Sequence, residues 1–349
     1  MRKKFIFPFI FLTVIFLILV LAIFFSENRM RIKGIGVEGE SVFLKKDVSE
    51  NSAEIAFVGD IMLDRWVEKL MEKKGYDYPF LKIKNFLKKI DFVFGNLEGP
   101  IVKNPPDFPE KSLKFAFSPK VLPSLSLFNL FSLANNHTLN MGEEGLKETR
   151  NFLKSSGINF VGDPVSCDFS LSFFKSKTFS FLAFNRRSPS KCSDEEVLAV
   201  IEKVKKKYKN TFLILYFHWG NEYQKKSSFS QRRLAKKAIN AGADLIIGSH
   251  PHVVQEIEKY KGKLIFYSLG NFIFDQYFSQ ATQEGLIVKL EMKKDKLIFS
   301  LFPFKSVLSQ PDLMKEKEKR EFLKNLSKKS SADLKKEIEE GRIIIKRIQ

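Results

Sequence analysis

The chain has 349 residues, too many for one minimal domain, and suits one large domain with appendages. Hydrophobic residues make up 44% of it, which argues against a disordered polypeptide and allows a sizeable core. The net charge of +19 indicates either a Lys-rich soluble surface or attraction to an anionic polymer or to membrane lipid. We expect no nucleic-acid partner, because no recognised nucleic-acid motif accompanies the charge.

A hydrophobic segment near the N-terminus predicts a membrane anchor. Residues 5–25 are apolar except for one proline and one threonine, and about 20 such residues cross a bilayer as a helix. Basic residues precede the segment, so the positive-inside rule leaves residues 1–30 as a cytoplasmic N-terminus and anchor. A cleaved signal peptide is the alternative, but bulky residues stand where small ones are needed for cleavage. We therefore predict a single-pass protein of the cell membrane whose C-terminal domain is extracytoplasmic.

Past a polar linker at residues 31–53, strand and helix patterns alternate. Apolar runs typical of buried strands occur at residues 54–60, 91–96, 129–135, 158–162, 177–185, 212–220, 243–250 and 263–271. Helical spacing occurs at residues 61–73, 80–89, 142–156, 193–209 and 230–242, and an antiparallel strand pair is predicted at 286–292 and 296–302. The alternation predicts an α/β domain with much parallel pairing over residues 54–305. A Lys-rich helical tail follows at residues 306–349.

All four histidines follow apolar runs, in short stretches rich in Gly, Asn or Pro; they are His137, His218, His250 and His252. In α/β folds the carboxyl ends of parallel strands open into a crevice where ligands bind. A single histidine of this kind is more often structural than a ligand. The placement shared by all four favours a metal centre at the edge of a sheet.

Oxygen ligands have the same placement. Asp60 and Glu98 follow apolar runs and supply anionic oxygens, and Asn136 supplies a neutral carbonyl. Mixed nitrogen and oxygen sets suit Mn²⁺, Zn²⁺ or Fe²⁺ rather than Ca²⁺. His250 and His252 flank one proline, so they reach either one ion or two. The two cysteines lack CxxC spacing, which argues against a thiolate site, and whether they pair stays open.

Other side chains are candidates for the rim of the crevice. Arg65 follows the first strand and is either an anion clamp or a surface charge. Tyr223, with Trp219 and Glu222, is expected to shape the rim. Asn271 either lines the site or stabilises a turn.

Six motifs in chain order carry a family resemblance: GDIMLDR, NLEGPIV, LANNHTLNMGEEGL, HWGNEY, GADLIIGSHPHVVQ and SLGNFIFDQ. Over about residues 54–305 they resemble the CapA family of capsule or poly-γ-glutamate synthesis proteins. That family is similar to the calcineurin-like metallophosphoesterases. The resemblance implies a two-sheet β-sandwich flanked by helices.

The phosphoesterase pattern also implies residue roles. Glu98 takes the place of the carboxylate that bridges two ions, and His137 lies near the substrate as general acid. The ligands of one or two divalent ions would be Asp60, Glu98, Asn136, His218, His250 and His252.

Three positions depart from these patterns. Met62 stands where the phosphoesterases have a histidine, Glu98 replaces an aspartate, and Asn140 stands where the CapA motif has an aspartate. The first departure leaves one metal position with only Asp60, Glu98 and His252. The other position keeps Glu98, Asn136, His218 and His250, so a single-ion site is the alternative.

The leading hypothesis is a membrane-tethered metal-binding protein that acts in synthesis, export or attachment of an anionic polymer such as poly-γ-glutamate. If it is an enzyme, it is a metal-dependent hydrolase. Its partners would be the membrane, the polymer and membrane capsule-synthesis proteins. One alternative is a non-catalytic scaffold of a polymer-assembly complex, which Met62 and Asn140 favour. A general extracellular phosphoesterase is the other, and the missing histidine argues against it.

Overall fold

The computed structural model describes residues 42–44, 53–108, 112–167, 172–174 and 178–347. All of them belong to one compact unit, Glu40–Gln349. The predicted membrane anchor lies outside the described residues. Among the residues that are described, no helix combines the length and apolar character needed to span a bilayer.

Two sheets form the centre of the fold. The strands are β1 (Val42–Leu44), β2 (Ala53–Ile61), β3 (Phe92–Leu97), β4 (Leu130–Ser132), β5 (Asn159–Val161), β6 (Ser172–Phe174), β7 (Phe179–Asn185), β8 (Phe212–His218), β9 (Leu245–Ser249), β10 (Ile257–Tyr260), β11 (Lys263–Phe266), β12 (Asn271–Ile273), β13 (Glu284–Met292), β14 (Lys296–Val307), β15 (Gln310–Leu313) and β16 (Arg342–Lys346). Sheet A has the order β1-β6-β7-β8-β9-β11-β10. Sheet B has the order β15-β14-β13-β2-β3-β4-β5, with β12 beside β2 and β16 beside β14. Strands β7 to β9 and β2 to β5 pair in parallel, as the alternating pattern predicts.

The longer helices of the described chain mostly begin at polar capping residues. The helices are α1 (Arg65–Lys74), α2 (Lys84–Leu87), α3 (Leu122–Leu125), α4 (Gly142–Ser155), α5 (Asp194–Lys207), α6 (Phe229–Asn240), α7 (Gln280–Gln283), α8 (Glu316–Lys329) and α9 (Lys335–Glu339). Short 3₁₀ turns lie at Tyr78–Phe80, Pro119–Val121 and Ala332–Leu334. Ser193 and Ser228 each form a capping box at the start of α5 and α6, which satisfies backbone N–H groups that the helix leaves free.

Aromatic side chains pack the two sheets face to face. Phe92 and Phe94 of sheet B stack on Phe181 of sheet A, with ring centroids 5.3 and 5.8 Å apart. Tyr216 of sheet A lies 4.9 Å from Phe94. Helices α1 and α4 cover the outer face of sheet B, and α5 and α6 cover that of sheet A. The protein is therefore a mixed α/β fold with two packed sheets flanked by helices.

Two predicted helices differ from the observed ones. Helix α1 begins at Arg65 rather than at residue 61, because β2 extends to Ile61 and the Asp64 side chain accepts the N–H of Arg65 as a cap. The helix predicted at residues 80–89 reduces to the single turn α2. The alternation of apolar residues and lysines in this segment is typical of a helix. Its apolar face is too short, however, to bury a second helical turn.

The region predicted as a helical tail contains strands as well as helices. Strands β15 and β16 both pair with β14, and β16 follows α8 and α9. Leu323, Leu326, Ile338 and Ile343 join the core between the sheets. Most of residues 306–349 thus belongs to the folded domain. Within the predicted linker, Val42–Leu44 forms β1 and pairs in parallel with β6.

Cys167 and Cys192 form a disulfide, with Cα atoms 5.2 Å apart. The bond connects the segment after β5 to the residue just before the cap of α5. The two cysteines, whose pairing the sequence left open, are therefore paired.

Candidate metal centre

The ends of strands from both sheets meet at one place. In sheet B, β2 and β3 pair so that Asp60 lies opposite Asn96. In sheet A, β8 and β9 pair so that His218 lies opposite Ser249. Because the sheets pack face to face, carboxylates from sheet B and imidazoles from sheet A converge.

One candidate ligand group consists of Asp60, Glu98 and His218. Each offers one ligand atom, and these atoms all lie within 4.8 Å of one another. All three side chains are fully buried. His218 Nδ1 is 3.9 Å from Asp60 Oδ1. The group matches three of the ligands predicted from the sequence.

A second group consists of Glu222, His250 and His252, with ligand atoms within the same 4.8 Å limit. The two groups adjoin. The ring centroids of His218 and His250 are 4.8 Å apart, and His252 Nδ1 is 3.5 Å from Asp60 Oδ2. All five of the predicted histidine and carboxylate ligands thus lie in these two groups, and the predicted amide ligand, Asn136, contacts His218. A further member is Glu222, which the sequence predicts only as a residue of the rim.

His250 has two buried ring nitrogens, Nδ1 and Nε2, and neither has a hydrogen-bond partner among the described residues. The side chain is only 2% exposed. Oε1 of the fully buried Glu98 likewise has no hydrogen-bond partner among the described residues. Buried polar atoms normally have partners, and leaving one unpaired costs about 1–3 kcal/mol. Unpaired imidazole nitrogens beside carboxylate oxygens fit a divalent cation.

The protonation states also suit metal ligands. Burial lowers the pKa of His218 to about 3 and that of His250 well below its usual range, so both imidazoles are neutral near pH 7. Burial and the adjacent Asp60 raise the pKa of Glu98 well above its usual range. Burial opposes ionisation of Asp60, but interactions with His252 and His218 outweigh it and lower its pKa. In this pair a proton therefore favours Glu98 over Asp60.

The backbone is strained at His250 and His252, the last two histidines of the chain. His250 has φ = 91° and His252 has φ = 58°, in the left-handed region that residues with a Cβ seldom adopt. Such conformations cost about 1–3 kcal/mol each and concentrate at functional sites. The backbone N–H of His250 donates to Asp60 Oδ2 at 3.1 Å, which secures this turn against sheet B.

Asparagine amides orient the imidazoles. Asn271 Nδ2 donates to Gln276 Oε1 and to the carbonyl of Thr282, so its Oδ1 accepts Nδ1–H of His252 at 2.9 Å. Nε2 of His252 is then the nitrogen with a lone pair. Asn271 thus contacts a candidate ligand, and it also ties down the turn after β12.

Asn136 lies directly against the candidate ligand His218. Its Oδ1 lies 2.6 Å from Nε2 of His218. The other ring nitrogen, Nδ1, faces Asn96 Nδ2 at 3.3 Å and Ser249 Oγ at 3.0 Å. Because the Asn96 amide donates, Nδ1 is an acceptor and Nε2 is the donor to Asn136.

Sequence reasoning missed Asn96, which is fully buried among the ligands. Its Nδ2 donates to Asp60 Oδ1 at 2.9 Å and lies 3.4 Å from Glu98 Oε2. The side chain of Asn135 in turn donates to Asn96 Oδ1 at 3.1 Å. The position of Asn96 two residues before Glu98, in a strand beside Asp60, was the available signal.

His137 lies at the same centre. Its Nε2 is 3.8 Å from Glu98 Oε1, and its ring is 4.2 Å from that of Phe115. Asn140 Oδ1 accepts the N–H of Phe115 and lies 3.0 Å from Nδ1 of His137, so Nδ1 is the protonated nitrogen. Burial lowers the pKa of His137 to about 4. The neutral ring therefore presents a lone pair at Nε2 and must accept a proton before it can act as an acid.

Arg65 is mostly engaged by the protein. Its guanidinium pairs with Asp275, donates to the carbonyl of Ser112 at 3.2 Å and lies over the Phe115 ring at 4.8 Å. Its Nε is buried with no partner in the described part of the chain. These contacts stabilise Arg65 beside the centre but leave few donors for an anion.

Two further positions complete the surroundings. Tyr223 is 43% exposed, and its ring centroid is 6.1 Å from that of His252, as expected of a residue at the rim. Met62, which replaces the histidine of the phosphoesterase motif, is fully buried. Its sulfur accepts the N–H of Asp64 at 3.1 Å.

Known proteins that are similar to this chain include two capsule proteins of Bacillus and one solved structure. The "PGA biosynthesis protein CapA" of Bacillus subtilis (strain 168) is 33% identical over 280 residues, covering 72% of this chain and 70% of that protein. The "Capsule biosynthesis protein CapA" of Bacillus anthracis is 31% identical over 271 residues, covering 71% and 66%. A crystal structure of the protein TT1561 of Thermus thermophilus superposes with a TM-score of 0.39 and 12% identity, over 68% of this chain and 93% of that chain.

Residues 54–276 match the family described as bacterial capsule synthesis protein PGA_cap. The match begins at β2 and ends just after β12, so it contains every candidate ligand. Together with the two Bacillus relatives, it confirms the family expected from the motifs: the chain belongs to the bacterial capsule synthesis protein family PGA_cap.

Proposed function

We propose that this protein is a metal-dependent hydrolase of the metallophosphoesterase type, acting on an anionic capsular polymer such as poly-γ-glutamate during its synthesis, export or attachment. The observation that carries the proposal is His250, whose two buried ring nitrogens have no partner among the described residues. A neutral imidazole keeps a lone pair on one ring nitrogen, which a divalent cation can bind, and burial strongly disfavours a second ring proton on His250.

The described residues have distinct tasks at this centre. Asp60, Glu98 and His218 would hold a divalent cation on the buried side, and His250 and His252 would extend the site towards the rim. When bound, such a cation polarises the substrate and lowers the pKa of water, which supplies the nucleophile. Asn96 and Asn271 orient the ligands. His137 accepts a proton at Nε2 and can return it to a leaving group.

Further observations support an extracytoplasmic location at the cell membrane. The disulfide between Cys167 and Cys192 is typical of oxidising compartments. The apolar residues 5–25 are long enough for a single-pass anchor. The net charge of +19 favours association with an anionic polymer and with anionic lipid. Membrane capsule-synthesis proteins are the protein partners that this location would offer.

Metal analysis of the full-length protein tests the proposal. After equilibration with Zn²⁺ or Mn²⁺ and removal of free ions, we expect at least one ion per chain by mass spectrometry, and a chelator should lower the melting temperature. Poly-γ-glutamate should be shortened by the loaded protein, and His137→Ala should slow that reaction by about 10²-fold or more. A protein that binds no ion, and whose melting temperature ignores chelators, contradicts the proposal.

A scaffold with a structural ion is the second candidate, since Asp60, Glu98 and His218 are fully buried. The same assays separate the two functions. A loaded protein that leaves the polymer intact, with equal background in the wild type and His137→Ala, supports the scaffold. Turnover of simple aryl phosphates but not of the polymer would instead support a general phosphoesterase.

A further inference from the structure

We propose that Glu222 is the carboxylate ligand of a second cation position, formed with His250 and His252 at the mouth of the centre. The inference rests on the proposed function in one respect: the centre must bind divalent cations. It goes further by naming a ligand outside the phosphoesterase pattern and by predicting two ions that differ in accessibility.

The geometry places Glu222 among ligand atoms. A carboxylate oxygen of Glu222 and one ring nitrogen each of His250 and His252 lie within 4.8 Å of one another. Two imidazoles and one carboxylate, with remaining positions open, form a set that Zn²⁺, Mn²⁺ and Fe²⁺ accept. The buried group of Asp60, Glu98 and His218 adjoins this one but consists of three different residues.

The loop after β8 holds Glu222 in this place. Tyr223 adopts φ = 62°, and its backbone N–H donates to the carbonyl of Pro251 at 2.8 Å, between the two histidines. Its hydroxyl accepts from Gln276 Nε2 at 3.2 Å. Gly220 has φ = 86°, and a Cβ there would lie 2.7 Å from the Gln231 side chain. The loop is thus attached to the turn that carries His250 and His252.

The two histidines lack other uses for the nitrogens concerned. Both ring nitrogens of His250, a side chain only 2% exposed, have no partner in the described residues. Nε2 of His252 is directed into the centre, 4.0 Å from Glu98 Oε1, because Nδ1 is bonded to Asn271. A cation beside Glu222 would satisfy nitrogens on both rings.

Glu222 is an additional carboxylate in a chain that has Met62 at the position of the first-motif histidine. At the first motif, Met62 is buried and its sulfur already accepts the N–H of Asp64. Sheet B therefore offers no nitrogen ligand from that position. The loop after β8 supplies an anionic oxygen to the group that contains His250 and His252. Since Glu222 is exposed, the ion it binds should exchange faster than the buried one.

The experiment counts ions bound to the full-length protein. Wild type, Glu222→Gln and the control Glu195→Gln, which changes a carboxylate in the first turn of α5, are equilibrated with Zn²⁺ and desalted. We expect two ions per chain in wild type and control. In Glu222→Gln we expect one tightly held ion, with the second weakened at least about tenfold by calorimetry. Glu222→Asp, which retains a carboxylate, should recover part of the second site.

The outcomes distinguish this inference from the proposed function. Two ions of unchanged affinity in Glu222→Gln would overturn the role of Glu222 while leaving a metal centre intact. One ion in wild type that Glu222→Gln retains unchanged would do the same. No ion in wild type would overturn the proposed function itself. Melting curves of the metal-free proteins check the folds, which should be alike because Glu222 is exposed.

Discussion

Asn271 determines which nitrogen of His252 faces the centre. Its carbonyl oxygen accepts Nδ1–H, so Nε2 retains its lone pair for a cation. Partners of this kind fix the tautomer and ring orientation of a ligand, and their loss commonly costs about 10–100-fold in metal affinity.

We therefore expect Asn271→Ala to weaken Zn²⁺ binding by about 10–100-fold, measured by calorimetry on the full-length protein. Asn151→Ala, which removes an exposed amide from α4, is the control and should bind as wild type does. Unchanged affinity in Asn271→Ala would show that Asn271 only stabilises its turn.

Glu68 on α1 is a titratable group away from the ligands. Burial and the nearby Asp64 and Glu72 raise its pKa to about 7 from an ordinary value of 4.5. Between these two values the folded protein binds more protons than the unfolded chain. The contribution of Glu68 to the free energy of unfolding is therefore complete below pH 4.5 and is lost as the pH rises through 7.

Glu68→Gln should remove this component of the pH dependence. Urea unfolding at about pH 5 and about pH 8, on either side of the raised pKa, measures it: the fall in stability between the two should be smaller in the variant than in wild type. The exposed Glu143 on α4 provides the control Glu143→Gln, which should keep the wild-type dependence. Equal pH dependence in all three proteins would contradict a raised pKa for Glu68.

At the scale of elements, β2 and the turn that enters β12 approach so closely that a side chain cannot fit between them. A Cβ on Gly59 would lie 1.8 Å from the carbonyl oxygen of Gly270. The backbone N–H of Asp60 donates to that same oxygen at 3.2 Å. This contact positions Asp60 and the turn that leads to Asn271.

Gly59→Ala should therefore destabilise the protein by about 3 kcal/mol or more, because backbone rather than a flexible side chain must move. Gly157→Ala is the matched control: Gly157 has φ = +70° but open space around its Cβ position, so about 1–2 kcal/mol is expected. Urea unfolding gives both values. A smaller loss in Gly59→Ala than in Gly157→Ala would refute the close approach.

Much of the element order could be predicted because buried strands are short apolar runs, and the residues that end them are polar. That pattern located Asp60, Glu98, His218 and the pair His250 and His252. It could not place Glu222, since a loop carries it and the bond from Tyr223 to Pro251 determines its position. Local sequence does not encode contacts between separate loops.

In the C-terminal region, residues 306–349, the sequence predicts the helices but not the pairing of the strands. Its lysines and glutamates indicated helix correctly over α8 and α9. Strand β16 was missed because a strand of this length depends on its partner, here β14, for stability. The burial of Leu323 and Ile343 likewise depends on a core assembled from distant strands.

Across the fold, the candidate ligands come from two layers that are joined by side-chain packing and by hydrogen bonds such as the one from His250 to Asp60. Asp60 and Glu98 extend from sheet B, and His218 and His250 extend from sheet A. A cation held by both sets would act as an interlayer cross-link at one edge of the sandwich. Opening that edge would then require the ion to leave first.

Amide hydrogen exchange should reveal this restraint. With Zn²⁺ bound, the amides at the ends of β2, β8 and β9 should exchange at least about tenfold more slowly than after chelation, while those of α5 should change little. A uniform change across the molecule would indicate general stabilisation instead. If the ends of the strands alone respond, ion occupancy sets how readily the two layers separate at that edge.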